Sequence, residues 1–179
     1  MTAGATNYRN GIRSAVRGYW LSAFDSYQFY DAMDAAIRNG LTLAQHEGAA
    51  ACGVLPAELS PTERAALAQA IANEVGHIDA FAAEVEAGNK ANGGKLGPLH
   101  ARAEAWILRY KDVANQAKVS ACGDQKLMWV HQALGATKKP CGTCKYKLNR
   151  KVKRASYWQR VGVRPQNPPN SYLECEGWA

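Results

Sequence analysis

The stretch Lys138 to Trp158, KKPCGTCKYKLNRKVKRASYW, holds two cysteines two residues apart, eight lysines or arginines, three aromatic rings and no acid. Cys141-Gly-Thr-Cys144 has the spacing at which one turn aims two sulfurs and several amides at a single tetrahedral ion, the half-site of a zinc ribbon. A structural zinc takes four ligands and no second C-x-x-C exists, so Cys175, Cys122 and His131 are the candidates to complete the set. Reduced thiols, or a disulfide within the C-x-x-C or from Cys144 to Cys175, are the alternatives. Zinc at an incomplete site is thus the one cofactor suggested. A thioredoxin-like redox role is disfavoured, because that motif opens a helix after a strand and here it precedes KYKLNRKV. Cys52, alone on an alanine-rich segment, reads as a small core residue.

The cations Lys145, Lys147, Arg150, Lys151, Lys153 and Arg154 interleave with Tyr146, Tyr157 and Trp158. Positive side chains to meet phosphates and flat rings to stack on bases suit nucleic acid or another anionic partner. The plainer reading is a solvated basic surface whose rings fill the core of a small module, and Trp158 is expected in that core. Charge is divided along the chain: residues 1–124 carry 11 Lys or Arg against 13 Asp or Glu, whereas residues 125–179 carry 11 against 2. Self-repulsion on that scale points to screening by solvent or by an anionic partner.

Elsewhere the chemistry is sparse. Glu74-Val-Gly-His77 matches the E-x-x-H of carboxylate-bridged di-iron bundles, but there is no second copy, so two polar residues on a solvated helix flank are expected. His100 and Glu104, one turn apart, read as a surface pair. With no G-x-S-x-G, phosphate loop, dinucleotide fingerprint or H-E-x-x-H, nothing specific supports an enzyme or a small-molecule substrate.

The elements that must position these residues are mainly helical. From Asn7 to about Phe24, Ile12, Val16, Tyr19, Trp20 and Ala23 fall on one helical face. A second helix is expected from a Ser26 cap to Gly40, and a third from Leu41 to about Cys52, ending at Gly53. Ser60, Pro61 and Glu63 form a capping box that opens a long helix carrying Leu67, Ile71, Val75, Ile78, Ala82 and Val85 and closing at Gly88. A last helix starts near Pro98 and buries Leu99, Trp106, Ile107, Tyr110, Val113 and Ala117. After Ala121 the helical period stops, prolines recur, and KLMWV and KVKRASYW read as short β segments. The fold expected is mainly α: a bundle or array of about five helices over residues 1–121, then a small irregular cysteine-knuckle and β-hairpin module over residues 122–179.

That tail resembles the C-terminal portion of the phage head morphogenesis, or minor head, protein family. Trp129, Cys141, Cys144, Leu148, Asn149, Val152, Pro165 and Cys175, followed by Gly177 and Trp178, fall at the family's positions, and the helical first 120 residues also look like the helical part of such proteins. Three departures stand out. Arg150 follows Asn149 where glycine suits the positive φ of a type I′ turn. His131, Gln132 and Ala133 look like added material before Leu134. The chain stops at Ala179 where the family continues into a further cysteine, so the metal site that the resemblance implies lacks a ligand.

What the resemblance implies is a non-enzymatic structural or assembly protein, attached near the portal of a virion, that binds portal or capsid proteins and meets DNA through its basic module. The alternative expectation is a small phage-encoded basic effector that binds nucleic acid or a host defence nuclease and inhibits it. Both readings put the chain in the virion or the host cytoplasm. MTAGATNYRNGIR lacks the apolar centre of a secretory signal and no run of 18 apolar residues occurs, so neither export nor a membrane partner is expected.

Overall fold

The computed structural model describes residues 2–131, 150–161 and 175–178, with backbone alone for 130, 131 and 175–178. It is mainly α with a small β module: α1 (Ala3–Trp20), α2 (Ser26–Ala50), a 3₁₀ turn (Pro56–Glu58), α3 (Pro61–Val75), α4 (Ile78–Ala87), α5 (Leu96–Ala121), β1 (Lys126–His131), β2 (Val152–Arg154), α6 (Ala155–Val161) and β3 (Cys175–Trp178). Two compact units share these elements. The first comprises Met1–Leu43 and Ala65–Tyr110, the second Ala44–Arg64 and Lys111–Ala179, so α2, α3 and α5 contribute to both. The division differs from a boundary at residue 122, because the β module is built together with the chain around Cys52 and the last turns of α5.

In the first unit Ile12 and Val16 of α1, Phe29, Met33, Ile37 and Leu41 of α2, Ile78, Phe81 and Val85 of α4 and Trp106 of α5 are buried. The aromatic contacts are close, with Phe81 and Trp106 ring centroids 4.9 Å apart and Tyr19 stacked on Phe29 at 4.8 Å. Ile71 and Trp106 are buried as the sequence predicts, whereas Leu67 is half-buried.

Three expectations about helices change. The cap of α2 is Asp25 rather than Ser26: the Gln28 amide donates to Asp25 Oδ1 at 2.8 Å and the Asp25 amide donates to Gln28 Oε1 at 3.0 Å. This is the reciprocal box in another sequence. Next, α2 runs through Gly40 to Ala50, because Gly40 serves close packing: a Cβ there would collide with the ring of Tyr8. The exit comes at Gly53, whose φ of 79° is the left-handed conformation glycine adopts without strain. Finally, the long helix from residue 61 to 87 is broken at Gly76–His77. The His77 amide donates back three residues to the Glu74 carbonyl, a 3₁₀ tightening, and glycine has little helical preference with which to resist it. Beyond the break Ile78 and Val85 are buried as the stripe predicts, and Phe81, outside that stripe, joins them.

The box at Ser60 forms as its spacing predicts. The Glu63 amide donates to Ser60 Oγ at 3.2 Å and the Ser60 amide donates to Glu63 Oε2 at 2.9 Å. Partial burial pushes the Glu63 carboxyl up, but hydrogen bonds from the Ser60 hydroxyl and amide, with one from Ser120, outweigh it and hold the group below its ordinary value. A depressed folded value means that its stabilisation is present above the unfolded pKa of about 4.3 and is lost as pH falls through the folded one. Ser60→Ala is expected to cost about 1 kcal/mol at neutral pH; an unchanged denaturation midpoint would reject the capping role.

Candidate functional site

The second unit is organised by two tryptophans. In β1 the buried positions are Leu127 and Trp129, so Lys126 and Met128 project to the other face. Trp158 of α6 is buried beside them, its Nε1 donating to the Leu127 carbonyl at 3.2 Å and its ring 5.7 Å from that of Trp129. Val119, Cys122 and Ala155 complete this core. Trp158 as a core ring is what the sequence predicts. KVKRASYW departs from the expected β segment: only Val152–Arg154 is strand, and Ala155–Val161 turns into α6, which swings Trp158 onto β1.

The sheet has the order β2-β1-β3, and both pairings are antiparallel. Register sets Lys126 opposite Arg154, Leu127 opposite Lys153 and Met128 opposite Val152. The Trp129 amide donates to the Lys151 carbonyl at 3.0 Å, and the Arg150 amide donates to the Trp129 carbonyl at 2.9 Å. Arg150 takes φ 60°, the left-handed conformation expected where glycine would be easier. Every residue of β2 is exposed, and so are Lys126, Arg150, Lys151 and Arg160.

This arrangement brings Arg150, Lys151, Lys153 and Arg154 onto one edge of the module. Lys153 Nζ lies 5.5 Å and Arg160 Cζ 5.8 Å from the centroid of the Tyr157 ring, within cation–π range. Arg154 pairs with Asp124 at 3.3 Å, with the two side chains 62% and 75% exposed, so this ion pair contributes little. Lysines on an edge strand also discourage pairing with another chain, a second role for the same charges. Lys145 and Lys147 lie outside the described residues. Sequence reasoning missed Lys126 and Arg160. The signals were there, in the alternation of Lys126 with Leu127 and Trp129 and in the placing of Arg160 three residues after Tyr157.

The sulfurs divide differently from the expectation. Cys52 and Cys122 are joined as a disulfide with their Cα atoms 5.1 Å apart. Cys122 is therefore not a metal-binding thiolate and Cys52 is not a lone core residue; the turn at Gly53 brings the end of α2 to the end of α5. Cys141 and Cys144 lie outside the described residues. Cys175 is on β3, where the backbone register sets it opposite His131 beside an irregularity at Val130/His131.

Polar residues of the first unit also sort themselves. Glu74 is not on a solvated flank: its Oε1 accepts from Arg109 Nε at 2.8 Å and its carbonyl accepts from Trp106 Nε1 at 3.2 Å, while His77 is exposed at the helix break. Burial pushes the Tyr8 hydroxyl up, the Glu74 carboxylate adds to that, and Arg109 opposes it. Glu104 pairs with Arg9 and Arg13 of α1 rather than with His100. No helix among the described residues is long and apolar enough to cross a membrane.

The chain-entropy model values a crosslink over a separation of 70 residues at about 4 kcal/mol. Digestion without reductant is expected to release the Cys52 and Cys122 peptides as one linked species, and Cys122→Ser to lower stability by about 2–4 kcal/mol; two separately alkylated peptides would remove the bridge. No family model, no curated protein and no solved structure matches this chain.

Proposed function

We propose that the chain is a non-enzymatic structural or assembly protein of a phage particle, of the minor head or portal-associated kind, which binds virion proteins and meets DNA through its basic module. The observation that carries this reading is the Cys52–Cys122 bridge within the unit that bears the cations. Disulfides persist on particles released into oxidising surroundings and are rare in proteins that work in a reducing cytoplasm. That favours a virion component over a basic effector acting on a host nuclease. The cationic edge supplies a surface for an anionic partner, and the helical unit has the buried aromatic core of a rigid scaffold.

The test is co-purification. Tagged protein expressed during phage infection is expected to sediment with heads or to pull down portal or capsid protein. Recovery in the soluble fraction with a host nuclease, together with inhibition of that nuclease by the purified chain, would replace this reading by the effector.

Zinc belongs to this proposal as a structural ion. With Cys122 engaged, the candidate donors left are Cys141, Cys144, Cys175 and His131, and the backbone register sets His131 opposite Cys175. Three thiolates and one imidazole form an ordinary tetrahedral zinc set, which would tie the β1–β2 connection to β3. Metal analysis is expected to find up to one zinc per chain, with the content falling in His131→Ala and Cys175→Ser. Equal zinc in both variants and the parent would reject these two donors.

A further inference from the structure

We infer that the exposed β1–β2 edge is a binding site for the phosphate backbone of duplex nucleic acid, and that Asp124 competes for it from within the module. This rests on the proposed function in that the module meets DNA, and it goes further by naming the form of nucleic acid, the contacts and the group that restrains them.

The first observation is a repulsion. Register sets Lys126 opposite Arg154 on the side of the sheet away from Trp129, and both are exposed. Side chains directly opposite on antiparallel strands start about 5 Å apart, and like charges there destabilise the pair. The core does not require either cation, since Leu127, Trp129 and Trp158 close it from the other face. A phosphate between the two side chains converts the repulsion into two charge-assisted hydrogen bonds.

The second observation is the number and placement of the cations. Arg150 and Lys151 are exposed on the turn that leads into β2, Lys153 within it and Arg160 on the helix that follows. At about 3.3 Å per residue, Lys151 to Arg154 extends over roughly 10 Å. Duplex DNA presents about one charge per 1.7 Å of axis, so several phosphates come within reach of that length.

The third observation selects the duplex over a single strand. Tyr157 is half-buried, its ring stands edge-on to Trp158 at 5.3 Å, and Lys153 and Arg160 lie over it. That ring is engaged by two cations and a neighbouring indole, which compete with a base for it, and stacking is what single-strand sites rely on. An acidic protein surface is disfavoured because a protein interface needs an apolar centre, and among the described residues of β2 and α6 the large apolar side chains well exposed are Val152 and Val161 alone.

Asp124 is the restraint. Its Oδ2 lies 3.3 Å from Arg154 Nη1 and its Oδ1 accepts from the Ser156 hydroxyl at 3.3 Å, so the carboxylate is held where a phosphate oxygen would approach Arg154. Binding must displace or crowd it.

The experiment measures binding of the 179-residue chain to a short mixed-sequence DNA duplex by fluorescence anisotropy, between about 50 and 200 mM salt. The parent is expected to lose affinity with a logarithmic slope of about −4, as for four or five phosphates. Asp124→Asn is expected to bind about threefold more tightly, and Lys126→Gln and Arg154→Gln each about threefold to tenfold more weakly with the slope reduced by about 1. Lys126→Gln should melt no lower than the parent, since it relieves a like-charge pair, which separates lost binding from lost folding. The site is overturned if Asp124→Asn leaves affinity unchanged or weaker, if the two Gln variants keep the parent slope, if a single strand of the same length binds more tightly, or if poly-glutamate binds as well as the duplex. Duplex binding with this variant pattern but without co-purification with heads leaves the site standing and removes the structural role; the reverse result removes the site alone.

Discussion

Burial of Trp129 against Trp158 fixes the parity of β1, and that parity decides which side chains of the second unit face solvent. A strand inverts its faces with a slip of one residue, so placing Leu127 and Trp129 inward necessarily places Lys126 and Met128 outward. The Trp158 hydrogen bond to the Leu127 carbonyl ties α6 to the same strand, and α6 follows β2 without an intervening loop. The edge position of β2, the turn at Arg150 and the gathering of cations all follow from the site of those two rings. Burying two indoles takes no formal charge out of water, and the Trp158 N–H keeps a hydrogen bond; holding six cations around them costs repulsion, which the apolar area of the rings offsets.

The first unit is held by a different means. Its helices interleave large aliphatic side chains with many alanines, which allow close approach between them. Gly40 admits the Tyr8 ring against the backbone of α2, and the aromatic series Tyr19, Phe29, Phe81 and Trp106 fills what the alanines leave. Polar groups are absorbed in pairs: Glu74 with Arg109, and Glu104 with Arg9 and Arg13. Each joins residues at least 35 positions apart, which makes them ties between helices rather than supports along one.

Helix existence was legible because periodicity is local. The Ser60–Glu63 box, the exit at Gly53 and the inward Trp106 and Ile71 depend on neighbours three or four residues away. Where sequence reasoning failed, the deciding partner was distant or ambiguous. Gly40 reads as a terminator until Tyr8 is seen packed on it, and Asp25 and Ser26 offer equal claims as a cap until Gln28 selects one. The stripe from Leu67 to Val85 runs across Gly76 without a local stop, yet the helix breaks there and the core takes Phe81, which lies outside the stripe. For the basic module, the run from Arg150 to Arg154 was evident by composition, whereas Lys126 joined it only through antiparallel register. The Cys52–Cys122 bridge had no local signal at all, since its partners lie 70 residues apart and neither belongs to a spaced motif.

That bridge explains how so lopsided a charge distribution can be carried on so small a core. Residues 125–179 hold 11 basic and 2 acidic side chains, and among the described residues the buried set around Trp129 is Val119, Cys122, Leu127, Ala155 and Trp158. Repulsion among exposed cations favours expansion, most of all at low salt. Small modules with such cores rely on a covalent or metal staple, because apolar burial alone comes close to cancelling against chain entropy. A bridge from the end of α2 to the end of α5 acts on the unfolded chain, so its contribution does not weaken as salt or partner changes. The cations are then free to be placed for a partner rather than for stability. Lys126 lies opposite Arg154, and Asp124 at 3.3 Å offsets part of that like-charge pairing; the remainder is what the anionic partner inferred above would supply.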